Sequence, residues 1–202
     1  MIVGTLPPPR FTTGELKVDD VDFCYGSRNG MLWPILDRIF SLNLKFENSE
    51  FAVKQRKEFL VANKLGVCDI VESSEREKVD ASDLGMQNVQ LRNLIAYLQE
   101  YKKLDTILFM GGNSKNGPEY FFRKLLKGNV IPLKTVSDTV PRIYRFLLPD
   151  SGREITTVSL TAPSGAANRA VGSMASYKAM KDKDPNFNTL DFRVLQYRKF
   201  FE

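Results

Sequence analysis

Residues 157–169 read Thr-Val-Ser-Leu-Thr-Ala-Pro-Ser-Gly-Ala-Ala-Asn-Arg and change character abruptly. Thr157, Val158 and Leu160 are β-branched or apolar and suit a buried strand. Pro163 ends ladder pairing. Ser164, Gly165, Ala166 and Ala167 are too small to fill a core, and a helical pattern starts at Asn168 and Arg169. A strand that opens a helix through small residues leaves free backbone N–H groups at its carboxyl end. Open α/β sheets bind anions and ligands there. Taken alone, the stretch is also compatible with an ordinary connection in which Ser164 caps the helix.

The rest of the chain alternates strand and helix signals. Residues 1–4 form a short apolar strand, cut by Pro7-Pro8-Pro9 into a stiff extended loop. Residues 10–22 are polar and irregular. A helix is expected over 31–40, with Leu32, Ile35, Leu36 and Ile39 on one face and Pro34 in its first turn. A second is expected over 50–65, with Ser49 as N-cap, Gly66 as its stop and Lys54, Arg56 and Lys57 on the solvated face. A short buried strand at 67–71 carries Asp69, and residues 72–87 read as a long charged connection. Residues 89–103 have helical spacing at Leu91, Leu94, Ile95 and Leu98. A buried strand at 106–110 runs into Gly111, and a helix at 118–127 stops at Gly128. Residues 142–148 and 154–160 are strand-like and flank turn chemistry at Pro149-Asp150-Ser151-Gly152, which favours antiparallel pairing. A helix continues from 168 to about 181, and a final one covers 190–201.

This alternation predicts one domain over residues 1–202, a three-layer α/β/α sandwich around a mainly parallel four-stranded sheet. The strand tails would converge on one edge and surround a pocket with Pro7, Asp69, Gly111 and Ser164.

Composition narrows the chemistry. The 202 residues include no histidine and only two cysteines, Cys24 and Cys68, outside any C-x-x-C. Ser-His-Asp and Cys-His catalysis are excluded, a zinc site is not expected, and the thiols read as reduced ones in an intracellular protein. The N-terminus has neither a basic region nor a long apolar core, so no signal peptide is expected. No run has membrane-spanning length, and no membrane partner is expected. The net charge of +5 is compatible with a polyanionic partner. No G-x-G-x-x-G and no G-x-x-x-x-G-K-[ST] is present, which argues against a common nucleotide fold.

Four stretches stand in a recognisable order: GTLPPP at 4–9, YGSRNGMLW at 25–33, GVCDIV at 66–71 and LTAPSGAAN at 160–168, with SSER at 73–76. Together they resemble the uracil-DNA glycosylase superfamily, nearest its hypoxanthine- and mismatch-type branches. Those branches show a G-S/T-x-P loop after the first strand, Y-G-x-x-x-N-x-F-W, G-I-x-x-W-D-V and a final L-P-S-x-S-x-A-N loop. The resemblance spans nearly the whole chain. It implies hydrolysis of the N-glycosidic bond of a damaged or deaminated base flipped out of DNA, in base-excision repair, by a monomer without metal or cofactor. By residue, it implies that Asn29 positions the attacking water. Phe23 or Tyr25 stacks on the base, and Gly4, Thr5, Leu6 and Pro7 wall its pocket, with Asp69 at the edge. Ser164, Gly165 and Ala166 approach a DNA phosphate, with Arg28, Asn168 and Arg169 near the duplex. Two departures stand out. Counted without a gap, the family's asparagine column falls on Gly30, one residue after Asn29, and the final loop lacks the histidine of the uracil-specific enzymes. The alternative is a catalytically inactive module of the same fold that binds DNA or a free base.

Overall fold

The computed structural model describes residues 1–76 and 83–202. In chain order it contains β1 (Ile2–Gly4), α1 (Arg10–Thr13), α2 (Leu32–Phe40), α3 (Glu50–Ala62), β2 (Val67–Asp69), β3 (Val71–Arg76), β4 (Met86–Leu91), α4 (Leu94–Glu100), β5 (Thr106–Phe109), α5 (Pro118–Gly128), β6 (Lys134–Ser137), β7 (Arg142–Leu147), β8 (Glu154–Ser159), α6 (Asn168–Ser173), α7 (Ala175–Lys183) and α8 (Thr189–Phe201). The chain folds as two compact units, each built from two segments. The first comprises Met1–Glu15 and Asn63–Leu160, the second Leu16–Ala62 and Thr161–Glu202. No helix among the described residues is long and apolar enough to cross a membrane.

The first unit holds a six-stranded sheet in the order β2-β1-β5-β8-β7-β6. Its first four strands are parallel, and β7 and β6 extend it antiparallel. The α/β class and the mainly parallel sheet are as the sequence predicts, and so is the β7–β8 pairing. The sheet has six strands where four were expected. Ile107, Phe109, Phe146 and Ile155 share one core with Leu94, Ile95 and Leu98 of α4 and Phe121, Phe122 and Leu126 of α5. The parallel strands are buried on successive residues, as strands covered on both faces are.

Residues 71–76 and 86–91 form a second, two-stranded antiparallel sheet rather than an irregular connection. Both strands alternate weakly, with half-buried and exposed side chains, so their period was masked by charge. Residues 77–82 of that expected connection lie outside the described residues. The helix expected over 89–103 is shorter. Leu91 belongs to β4, and α4 starts after Asn93, whose side chain accepts the Ala96 N–H at 3.1 Å.

The second unit is helical. On α2, Leu32, Ile35, Leu36 and Ile39 are buried, as their spacing predicts, and Trp33 is buried with them. Ser49 caps α3 by accepting the Ala52 N–H at 3.2 Å. That helix stops at Ala62, however, and Lys64 rather than Gly66 takes the left-handed turn (φ 54°). Arg56 is not on a solvated face. It is 0% exposed, its guanidinium lies 5.3 Å from the Trp33 ring and 5.1 Å from the Phe46 ring, and burial lowers its pKa to about 10. The helix expected from 168 breaks at Met174, which is extended (ψ 132°), into α6 and α7.

Candidate functional site

The sequence-predicted residues fall into two groups, one in each unit.

In the first unit the carboxyl ends of β1 and β2 lie side by side. Gly4 is in register with Asp69, and the Ile70 and Val71 N–H groups donate to the Gly4 and Thr5 carbonyls at 2.9 and 3.0 Å. These bonds fix the loop that starts at Gly4 and continues through Thr5, Leu6 and Pro7, all half-buried beyond the buried Gly4. Asp69 is largely removed from water, and burial pushes its carboxyl up to about 6. Arg92 opposes the shift and Asp83 adds to it. Asp83, which sequence reasoning did not single out, is raised by the same cause. A hydrogen bond from the Thr5 hydroxyl and the charge of Arg76 offset part of that rise. Asn116 is buried and donates from Nδ2 to the Asp83 carbonyl at 2.8 Å. Two carboxyls with raised pKa therefore sit by the loop after β1, linked to it through Thr5. Of the two, Asp69, pushed up to about 6, can hold or release a proton close to neutral pH. No sequence signal marked Asp83, because it stands in a charged stretch whose strands were not recognised.

Gly111 follows β5, the other neighbour of β1, with φ 155°. A groove of about 890 Å³ runs along α5 in this unit, lined by Asn113, Tyr120, Arg123, Lys124 and Lys127 above Ile131 and Leu133. None of the sequence-predicted site residues lines it.

In the second unit the loop at 21–30 is tightly wound. Val21 N–H donates to the Gly26 carbonyl at 2.7 Å, and Gly26 N–H donates to the Phe23 carbonyl at 2.9 Å. Asp20, fully buried, accepts the N–H groups of Lys17 and Arg28 at 2.9 and 2.8 Å. The Trp33 indole donates to the Cys24 carbonyl at 2.8 Å. Phe23 lies 6.1 Å from Trp33, ring to ring. Tyr25 is half-buried and holds φ 57°, a conformation uncommon outside glycine. Arg28 and Asn29 are exposed at the turn.

Gly26 is demanded by packing rather than by its dihedrals. A Cβ there would overlap the Val21 carbonyl oxygen and come within 2.7 Å of the Phe23 carbonyl oxygen. Gly26→Ala is expected to cost about 1–3 kcal/mol, as overpacking does. It should also release the loop, lowering the melting temperature and raising protease cleavage between 20 and 30.

The same unit joins this turn to the final loop. Gly30 and Ser164 form an antiparallel bridge, and Met31 N–H donates to the Pro163 carbonyl at 2.8 Å. Gly165, Ala166 and Arg169 are exposed. Ser164 makes no side-chain cap bond. The Asn168 side-chain oxygen accepts from Arg193 Nη1 at 2.8 Å and Thr189 Oγ1 at 3.0 Å, so it braces the loop from within. α8 supplies the rest of the scaffold. The Gln196 side-chain oxygen accepts from Thr161 N and Oγ1, both at 2.8 Å, and the Tyr197 hydroxyl donates to the Thr161 carbonyl at 2.7 Å. Sequence reasoning missed α8 in this role, because its polar stripe at 189, 193 and 196 looks like a solvated face.

Comparison with known proteins finds no matching family model, no matching curated protein and no matching solved structure.

Proposed function

We propose that the protein is a monofunctional, metal-independent DNA glycosylase acting on a damaged or deaminated base flipped out of DNA, as in base-excision repair. The observation that carries the reading is the pairing of motif stretches inside each unit. The GTLP loop is hydrogen-bonded beside Asp69, and the YGSRNG turn is bridged to Ser164. Four stretches recognised by their order in the chain are thus joined two by two in space. In the proposed reaction the C1′–N bond breaks and the base leaves with the bonding pair. Water positioned by Asn29 adds hydroxyl to C1′, and its proton ends on the base. Phe23 or Tyr25 stacks on the base.

The test is a panel of oligonucleotides bearing uracil, hypoxanthine, xanthine or hydroxymethyluracil, incubated without metal and then treated with alkali. Wild type is expected to cut at one or more of these bases. Asn29→Ala is expected to lose about 100-fold or more in single-turnover rate while keeping its affinity for abasic-site DNA. No scission on any substrate by folded protein would sink the enzyme reading.

The one-residue offset between Asn29 and Gly30 favours a second reading, a module that binds DNA or a free base without cleaving it. Retained binding of abasic-site DNA at low salt, with no cleavage, would select it.

A further inference from the structure

The groove along α5 holds none of the residues assigned to the proposed reaction, and its lining is of two kinds. The floor is aliphatic: Leu126 and Ile131 are buried beneath it, and Leu133 continues it. Along α5 stand three cations, Arg123, Lys124 and Lys127, and no carboxylate is among the described lining residues. Arg123 is already engaged, with Glu119 at 3.4 Å and the Tyr144 hydroxyl at 3.3 Å. Lys127 lies in the last turn of α5, where the helix dipole favours a cation. Neither Lys124 nor Lys127 has a carboxylate partner among the described residues.

At the C-terminal end of α5 the groove carries an apolar side chain that the fold alone does not favour. The helix is closed by Val130 N–H to the Lys127 carbonyl at 3.2 Å and by Ile131 N–H to the Leu126 carbonyl at 3.0 Å. This is a Schellman turn. Its left-handed position, most often glycine, is Val130, with φ 56°. A β-branched residue is strained there. Asparagine tolerates that conformation better, yet Asn129 stands one residue before it with φ −99°. Val130 is also 89% exposed, more than any other large hydrophobic side chain among the described residues. Burial within the chain therefore does not offset the strain. Strain kept at an exposed position beside a groove points to a contact made with another molecule.

We infer that this groove docks a partner protein through a short acidic segment. Its apolar side chains lie on the floor of Leu126, Ile131 and Leu133 against Val130, and its carboxylates meet Lys124 and Lys127. Charge complementarity selects the acidic partner, since cations without carboxylates repel a basic segment and steer an acidic one. The aliphatic floor selects a peptide over a nucleic-acid strand. Bases stack on aromatic rings, and Tyr120 is the one ring among the described lining residues. The inference is independent of the glycosylase reading.

The test uses the full chain and short synthetic peptides in three sets. The first joins Asp and Glu to Leu and Phe, the second has Ser in place of the apolar residues, and the third has Lys in place of the acids. Binding is read by fluorescence anisotropy and by the amide signals of Lys124, Lys127 and Val130. Wild type is expected to bind the first set and neither of the others. Lys124→Gln combined with Lys127→Gln is expected to lose about tenfold in affinity and most of its salt dependence. Val130→Asn is expected to lose about tenfold as well, the weight of one exposed valine brought into contact. It should also raise the melting temperature, because asparagine relieves the left-handed position.

Unchanged affinity in Val130→Asn, or a fall in its melting temperature, would give Val130 to the fold and overturn the proposal. Equal binding of all three sets, or of none, overturns it too. Single-stranded oligothymidylate is the nucleic-acid control. If it moves the same amides as strongly as the first set, the groove is a general polyanion surface and the proposal fails. A wild-type dimer in sedimentation that Val130→Asn dissociates would make the occupant a second copy of this chain, which also overturns it. Cleavage of damaged-base oligonucleotides is expected to be the same in these variants as in wild type, so the failure of either reading is seen apart from the other.

Discussion

Arg142→Met is expected to lower the stability of the protein by about 2–3 kcal/mol, read as a drop in the urea midpoint. The physical reason is Glu119. Its side chain is 2% exposed, near the start of α5, and Arg142 holds it through two nitrogens, Nη2 at 2.6 Å and Nε at 3.1 Å. Arg142 is held charged in return, its pKa raised chiefly by these bonds. Removing one partner of a buried ion pair strands the other and costs about 3–5 kcal/mol. The expectation here is set lower because Arg123 stays beside Glu119 at 3.4 Å and Arg142 is itself 24% exposed. The pair is not a simple gain in stability, so the double variant Glu119→Gln with Arg142→Met should recover most of the loss. A double variant as unstable as the single one would show that Arg142 acts through packing instead. Gly112 gives a further check, because a Cβ there would stand 2.5 Å from Arg142 Nη2. A free arginine would swing aside, but this one is tied to Glu119, so Gly112→Ala should strain the same pair.

Neither residue of that pair was visible in the sequence, and the reason is general. Arg142 opens β7 and Glu119 lies on α5, 23 positions apart, and nothing local marks two charged residues as buried partners. Arg56 and Arg193 were missed for the same reason, since an arginine on a helix reads as solvated until an aromatic sandwich or a ring of carbonyls surrounds it. What was legible came from period and punctuation. The strands at 2–4, 106–109 and 154–159 and the helices at 32–40, 118–128 and 189–201 carry apolar runs ended by glycine, proline or caps, and they fall where expected. β3 and β4 were lost because their exposed faces carry Glu72, Ser73, Glu75 and Gln87, which hide a period of two. Within the site, Gly26 and Gly30 could be read as turn residues. That Gly26 is fixed by the Val21 carbonyl, and that Asn168 turns inward to Arg193, depend on distant parts of the chain meeting.

The second large effect concerns Asp69 and has a definite sign. A free aspartate titrates near 3.9, and in the folded protein burial pushes Asp69 up to about 6. Between those values the native state binds the proton and the unfolded chain does not. Folding is therefore favoured at the acid end of that window, and this contribution is lost as pH rises from about 4 to 6. Above pH 6 the charged carboxylate remains buried at a cost of about 2–3 kcal/mol, because each tenfold weakening of its acidity corresponds to about 1.4 kcal/mol. Asp69→Asn mimics the protonated form, so at pH 8 it should be more stable than wild type by about that amount. The difference should shrink through pH 5 and vanish near pH 4. A constant difference across pH 4–8, or a less stable variant at pH 8, would show that Asp69 has ionic partners that outweigh its desolvation. Cys68 supplies an independent readout. Its thiol is pushed up to about 11, by burial first and by the Asp69 charge second, so the variant's Cys68 should be alkylated at lower pH. A carboxyl that weakens the fold at neutral pH, placed beside the loop after β1, fits a group kept for chemistry rather than for stability. In the glycosylase reading a carboxyl that titrates near pH 6 can donate to or accept from the polar edge of a base. Asp69→Asn should accordingly gain stability and lose cleavage rate in the same preparation, and a variant that gained both would remove Asp69 from the base pocket.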